Sequence, residues 1–582
     1  DSFIAGCWAI FGHGNVAGLG EALYQVQDVL PTYRGHNEQT MAHTAIAYAK
    51  QNRRDRAMMV TSSIGPGATN MVTACALAYV NRLPVLFVPG DVFAHRGPDP
   101  VLQQLEVFND GTVSANDCFK PVSRYFDRIL RPEQIMTALP RALRVMTDPA
   151  DCGPVTLAFC QDVQAEAYDY PASFFTPKVW KIRRPEPDAD ELAEAIAAIK
   201  AAKNPVIVAG GGVIYSGAEA ALAAFASTHV ITVVETQAGK SSLAFDHPLN
   251  FGPVGVTGAA SANAVCEAAD LVIGVGTRFQ DFTTGSWSLF KNPERRILSI
   301  NVAPYDAYKH GALNLVSDAR TALSAISKAL HNRIWPKPLW LQDDWAAVTA
   351  GVKAAPKAAG LPTDMQVIGA VQRSAGPDTV VMSAAGTMPG ELHKIWDAPV
   401  GGYHMEYGFS CMGYEIAGAM GIKMARPDAD VICMLGDGSY MMANSELATA
   451  VMMGLPFTVV ITDNRGYGCI NRLQMGTGGA EFNNLLDKAY HVNPSAIDFA
   501  AHAGAMGATA VHVGSVAELE EHLAKAKSAT KPYVIVIDTD PYPSTHFGGS
   551  WWEVGVPEVS TRETVQAARA NYETKRHLQH KV

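Results

Sequence analysis

Residues 431–466 read VICMLGDGSYMMANSELATAVMMGLPFTVVITDNRG, and this stretch decides the fold. An apolar run, VICML, ends in Gly436-Asp437-Gly438. The segment NSELATAVMMG then offers Asn444 or Ser445 as a helix N-cap, with Glu446 close behind, and a stop at Gly454 before Pro456. A second apolar run, FTVVITDN, follows. A strand–helix–strand unit with a right-handed crossover ends both strands on one edge of a parallel sheet. Asp437 and Asn464 therefore meet at the carboxyl edge, where open α/β sheets bind ligands.

The residue types at that edge suit a hard cation. A carboxylate from Asp437, an amide oxygen from Asn464 and the backbone carbonyl of Gly466 are three oxygen ligands. Phosphate oxygens and a water would complete the octahedron that Mg²⁺ demands. Gly436 and Gly438 let the backbone approach those phosphates, and the amides of Gly438 and Ser439 can bond them. Gly-Asp-Gly alone is a common turn; the intact strand–helix–strand spacer and the Asn-x-Gly at its far end carry the metal reading.

Outward from this unit, the same alternation fills the chain. A third block, 361–545, adds the strand-like runs TVVMSAAG and YVIVIDT. The first block, 1–165, has CWAIFG, RAMMVTSS, PVLFVPG and GPVTLAFC as strands, with EQTMAHTAIAYAKQ and NMVTACALAYVN as helices. A second block, 186–330, has NPVIVAGGGVIYSG, VITVVET, DLVIGVG and RILSINV. PKVWKIRRPEPDADE links the first two blocks into a helix beginning near Asp190, and 336–362, with VKAAPKAAGLP, reads as the next linker. The tail, 546–582, ends in a polar helix. The fold class is α/β, with three doubly wound parallel-sheet domains.

Composition bounds the partners. Over 582 residues, 46 Lys and Arg against 56 Asp and Glu give a formal net charge of −10. That balance argues against nucleic acid, whose phosphates call for clustered cations. No apolar run approaches the length of a membrane helix. Nine cysteines without a C-x-x-C pair read as small buried hydrophobes in a reduced, cytoplasmic protein. Asp1-Ser2 has neither an initiator Met nor a basic n-region, and reads as a truncated or processed start.

The Gly-Asp-Gly followed some two dozen residues later by Asn resembles the signature of thiamine-diphosphate enzymes. RGHNEQTMAHTAIAYAK (34–50) is similar to that family's Arg-His-Glu-Gln helix start, one residue longer than the usual form, with the roles of Arg34 and His36 open. The resemblance makes Glu38 the acid that bonds N1′ of the aminopyrimidine; a carboxylate at a helix N-terminus also favours the dipole. TSSIGPGATN (61–70) resembles the turn beside the pyrimidine in the acetolactate synthase group, which implies a cofactor contact from Asn70. Met412, before Gly413, matches the bulky residue that props the cofactor into its bent shape. Ser410 stands where the family has Gly and uses only its carbonyl. Ala385, Gly386 and Thr387 fall where other members hold the diphosphate. The architecture implied is that of acetolactate synthase. The implied cofactors are thiamine diphosphate and Mg²⁺, with flavin in the central domain possible but not expected.

Longer strings narrow the resemblance. AIFGHGNVAGLGEAL (9–23), PDPVLQQLE (98–106), KPVSRYFDRI (120–129), YHMEYGFSCMGYE (403–415), YGCINRLQM (467–475) and SWWEVGVPEVS (550–560) look like the trihydroxycyclohexane-1,2-dione hydrolases of inositol catabolism. That resemblance implies a thiazolium nucleophile, a small cyclic dione substrate and hydrolytic C–C cleavage to 5-deoxyglucuronic acid. His13 is the proton-shuttle candidate, equally read as a surface residue; Gln103, Gln104 and His404 are weaker ones. The family's build implies a site shared between subunits of a homodimer or homotetramer. A carboligase of acetolactate synthase or glyoxylate carboligase type, or a 2-keto acid decarboxylase, is the alternative. A dinucleotide dehydrogenase is a second, on VIVAGGGVIYSG (206–217) with Glu235 some 20 residues on.

Overall fold

The computed structural model describes residues 3–337, 342–356, 360–493, 496–545 and 548–579. Asp1 and Ser2, read above as a processed start, lie outside them. Among the described residues eighteen strands form three six-stranded sheets, and every pairing between these strands is parallel.

The first sheet contains β1 (Ile4–Ala9), β2 (Thr32–Arg34), β3 (Ala57–Ser62), β4 (Leu86–Asp91), β5 (Tyr125–Ile129) and β6 (Val155–Cys160), in the order β2-β1-β3-β4-β6-β5. The second contains β7 (Pro205–Ala209), β8 (Thr232–Glu235), β9 (Asn250–Pro253), β10 (Leu271–Val275), β11 (Arg296–Asn301) and β12 (Leu313–Val316), ordered β12-β11-β10-β7-β8-β9. The third contains β13 (Thr379–Ser383), β14 (Tyr403–Met405), β15 (Asp430–Gly436), β16 (Thr458–Asp463), β17 (Thr509–Val513) and β18 (Tyr533–Asp538), ordered β14-β13-β15-β16-β18-β17.

The inner strands are the apolar runs of the sequence, because parallel strands covered on both faces bury every side chain. Each sheet gains two strands that the sequence did not single out: β2 and β5, β9 and β12, β14 and β17. All six are edges. Several are short, and His512 and Arg34 leave their side chains in solvent.

The helix Glu38–Gln51 of the first block packs along Glu415–Ala425 of the third. Met41, Ala45 and Ile46 share one core with Ala419, Met420 and Ile422, so the first and third sheets are joined through a common apolar layer. The second sheet has its own cores on its two faces.

One expectation is corrected. The stretch read as a linker, 336–362, holds a helix, Gln342–Lys353, that packs on Asp364–Ser374. Its Trp345 is buried with Phe279 and Phe290 of the second block, and Val348 packs beside it. The Ala and Gly content masked an apolar stripe at helical spacing. The helix after the first linker spans Ala189–Ala201, capped by Asp188. The tail helix spans Glu563–Arg576, and Ser550 and Trp552 tie the tail to Gly255 and Asp281 of the second block.

Candidate active site

β15 and β16 run side by side with Gly436 opposite Thr462, so Asp437 and Asn464 leave adjoining strands at one edge. Asp437 does not sit in an open turn; it is the first residue of a short helix, Asp437–Met442. The next helix, Glu446–Met452, starts after Ser445, but no side chain caps it, and Asn444 turns back to donate to the Tyr440 carbonyl.

Asp437 is 5 % exposed and Asn464 7 %, and Oδ1 of each is buried without a hydrogen-bond partner among the described residues. Burial, and then the neighbouring Asp463, push the Asp437 carboxyl up to about 7, against the backbone amides of Asn464 and Gly466. Buried polar atoms are rarely left unpaired, and an oxygen pair of this kind accepts a cation. Among the described residues no group of three His, Cys, Asp or Glu could hold a metal. A cation here would need its remaining ligands from outside the side chains, as one shared with phosphate oxygens does. Gly466 lies at φ 147°, and a Cβ there would lie 2.3 Å from the Asn484 carbonyl oxygen. Gly438 is packed under the Tyr467 ring, where a Cβ would lie 2.5 Å from Cε1, with the Met412 Cε 3.5 Å away.

The other residues of the third block gather at the same edge. Gly386 (φ 85°) leads into the helix Thr387–Ile395, and the Thr387 hydroxyl accepts from Arg472 at 2.7 Å. Ser410, exposed, lies at φ 54° in the left-handed region, which explains why glycine suits the position. Glu415, unremarked in the sequence, is fully buried and touches two of these loops and the Asp437 helix: its carboxylate accepts from the Gly413 amide at 2.9 Å, the Ala385 amide at 3.4 Å and the Ser439 side chain. Burial pushes it up to about 7.

Glu38 belongs to a second group. It opens the helix Glu38–Gln51, whose N-cap Asn37 accepts from the Gln39 and Thr40 amides. Asn70 donates to Glu38 Oε2 at 2.7 Å, and a Cβ on Gly67 would lie 3.2 Å from Oε1. Glu446 holds the approach to this helix, accepting from the His36 and Asn37 amides at 2.9 and 3.2 Å and from the Thr40 hydroxyl at 2.8 Å. His36 Nδ1 pairs with the Thr449 hydroxyl at 2.7 Å, so His36 serves this junction; Arg34 is exposed on β2. In sequence Glu446 read only as a first-turn acid, since its partners lie some 400 residues away.

His13 is exposed, its Nε2 3.2 Å from the Leu102 carbonyl. The loop of Gln103 covers Gly65, the residue before the Pro66–Asn70 helix. Gln104 is turned to Asp99 and to the Val101 amide. His404 is removed from candidacy: it is buried, and its ring nitrogens pair with Gln51 and the Tyr414 hydroxyl at 3.1 Å each.

Burial lowers His404 well below its usual value, and burial with nearby Lys240 lowers His393 to about 3. Both are neutral in the fold and take up protons on unfolding. Their contribution to stability is full above pH 6.5 and is lost as pH falls below it, for His393 toward 3. In His404→Gln the urea midpoint should therefore drop less than in wild type between about pH 7.5 and about pH 5.5. Equal drops would contradict the assignment.

The glycine-rich turn of the second block has a packing explanation. A Cβ on Gly210 would lie 2.4 Å from the Gly276 carbonyl oxygen, and one on Gly212 2.6 Å from Gly276 Cα. Glu235, expected to meet a ribose, is buried and accepts from the Leu243 amide, Ser242 and Asn250. The dehydrogenase fingerprint thus lacks its free carboxylate. A cavity of about 350 Å³ does open beside this turn, lined by Arg54, Arg82, Tyr215, Arg278 and Asn301.

Three family models match in succession along the chain. Residues 8–109 match the thiamine pyrophosphate enzyme N-terminal TPP binding domain, 192–326 the central domain and 384–537 the C-terminal TPP binding domain. The chain belongs to the thiamine pyrophosphate enzymes, in the family of the 3D-(3,5/4)-trihydroxycyclohexane-1,2-dione hydrolases. The protein of that name from Geobacillus thermodenitrificans (strain NG80-2) is 45 % identical over 98 % of this chain and 94 % of its own length. Those from Bacillus cereus (strain AH820) and Bacillus thuringiensis (strain Al Hakam) are each 44 % identical over the same shares.

Proposed function

We propose that this chain uses thiamine diphosphate, held through Mg²⁺, to open the ring of 3D-(3,5/4)-trihydroxycyclohexane-1,2-dione to 5-deoxyglucuronic acid, a step of myo-inositol degradation in the cytoplasm. The observation that carries the cofactor is the pair of buried, partnerless oxygens on Asp437 and Asn464 at adjoining strand ends. The substrate follows from relatives at 44–45 % identity that bear its name.

Bound thiamine diphosphate supplies a carbon nucleophile and an electron sink for cleaving a bond next to a carbonyl. The chain's own residues hold and orient. Asp437, Asn464 and the Gly466 carbonyl take the metal, and Gly436, Gly438, Ser439, Gly386 and Thr387 receive the diphosphate. Met412, against Gly438, and the Ser410 carbonyl shape the cofactor. Glu38, fixed by Asn70, holds a proton at N1′ of the aminopyrimidine. His13, exposed on the loop after β1, is the candidate for moving a proton to or from substrate.

In one chain Glu38 bonds Asn70, while Asp437 faces Asp463, Asn464 and Gly466. The family's build, with its site shared between subunits, is the ground for a homodimer as the minimum unit. Among the described residues no helix is long and apolar enough to cross a membrane.

With the cyclic dione, acid release should require both thiamine diphosphate and Mg²⁺, and pyruvate under the same conditions should give no acetolactate. Acetolactate formation would favour the carboligase; acid release without the cofactor would refute the proposal.

A further inference from the structure

We propose that Glu415 is the positioning residue of the diphosphate cradle, setting the spacing of two loops and one helix start that the cofactor must meet together. The inference rests on the cofactor assignment above. Ala385 follows β13 and precedes Gly386 and Thr387. Gly413 follows Met412, beyond β14. Ser439 lies two residues past Asp437, after β15. Among the described residues no backbone hydrogen bond joins these three segments to one another. The Glu415 carboxylate joins all three, through the Ala385 amide (3.4 Å), the Gly413 amide (2.9 Å) and the Ser439 side chain.

Capping the first turn of its own helix, Glu415–Ala425, would account for the bond from its own amide. It does not account for reaching segments after two other strands. Nor is stability a sufficient reason for the residue. Glu415 is fully buried, and the groups that favour its charged form are neutral donors: its own amide, the Ser439 side chain, and the Ala385 and Gly413 amides. A buried carboxyl without a cation beside it is costly, and an apolar side chain of similar volume usually serves a core as well or better. What an apolar side chain lacks is several acceptor directions from one point. A carboxylate has about four lone-pair sites, enough for all three donors. The side chain of Ser439 is consumed by this contact, which leaves its backbone amide for the phosphate.

The test is the binding of thiamine diphosphate, in excess Mg²⁺, to the purified full-length chain by calorimetry, alongside the thermal midpoint with and without cofactor. Glu415→Gln keeps the volume but offers one acceptor oxygen and turns an NH₂ toward an amide N–H. Its affinity for the cofactor should fall by about 10- to 100-fold, the range for partners that orient a metal-site ligand. Turnover at saturating cofactor should recover, so that the KM for cofactor moves and kcat does not. Ser439→Ala removes one contact and leaves the carboxylate; it should lose affinity in the same direction by less, and it serves as the readout if Glu415→Gln does not fold. Unchanged affinity in a folded Glu415→Gln, or equal shifts of the apo and holo midpoints with no change in affinity, would overturn the proposal. If Glu415→Gln does not fold, unchanged affinity in Ser439→Ala would do so. Failure of the wild-type chain to bind thiamine diphosphate would sink the cofactor assignment, and this inference with it; wild-type binding with unaltered variants would sink this inference alone.

Discussion

Asp437→Ala should yield a folded protein that no longer retains thiamine diphosphate. Loss of a residue that merely orients a metal ligand costs about 10- to 100-fold in affinity, so loss of the ligand itself should exceed about 100-fold. The fold should not suffer, because the buried carboxyl is pushed up to about 7 and its burial is a cost that alanine removes. The apo variant should therefore melt no lower than apo wild type, while the stabilisation that Mg²⁺ and cofactor confer disappears. Calorimetry and thermal unfolding measure the two effects separately. Full activity of this variant without added metal would refute the site, and undiminished cofactor binding would do the same.

The second large effect belongs to Glu38→Gln, and it should leave binding nearly intact. Glutamine keeps an oxygen for the 2.7 Å bond from Asn70 and fits the space beside Gly67. What it loses is the exchangeable proton at N1′. Proton transfer by a positioned side chain contributes about 10²- to 10⁴-fold, so turnover at saturating cofactor should fall by that order while cofactor affinity stays near wild type. A loss confined to affinity would make Glu38 a binding residue and assign the proton elsewhere. Together the two variants separate holding the cofactor from activating it.

Which parts of the molecule were legible in sequence follows from how far apart the interacting residues lie. The twelve inner strands announce themselves as apolar runs because both of their faces are buried. The six edge strands do not, since Tyr403–Met405 and Asn250–Pro253 are short and Thr509–Val513 keeps His512 in solvent. The helix Gln342–Lys353 was missed because its alanines and glycine resemble a linker until Trp345 finds its pocket.

The candidate site divides the same way. Asp437 and Asn464 were placed together by sequence alone, because a strand–helix–strand unit is local and its handedness is fixed by chain chirality. Glu38 and Asn70 were named from family motifs, but their hydrogen bond is a fact of packing. Glu446 under the Glu38 helix, Glu415 among three segments and the inward-turned Glu235 emerged only in three dimensions. A carboxylate in a sequence shows its charge but not its donors, and most of those donors come from other elements, many from other strands or another sheet.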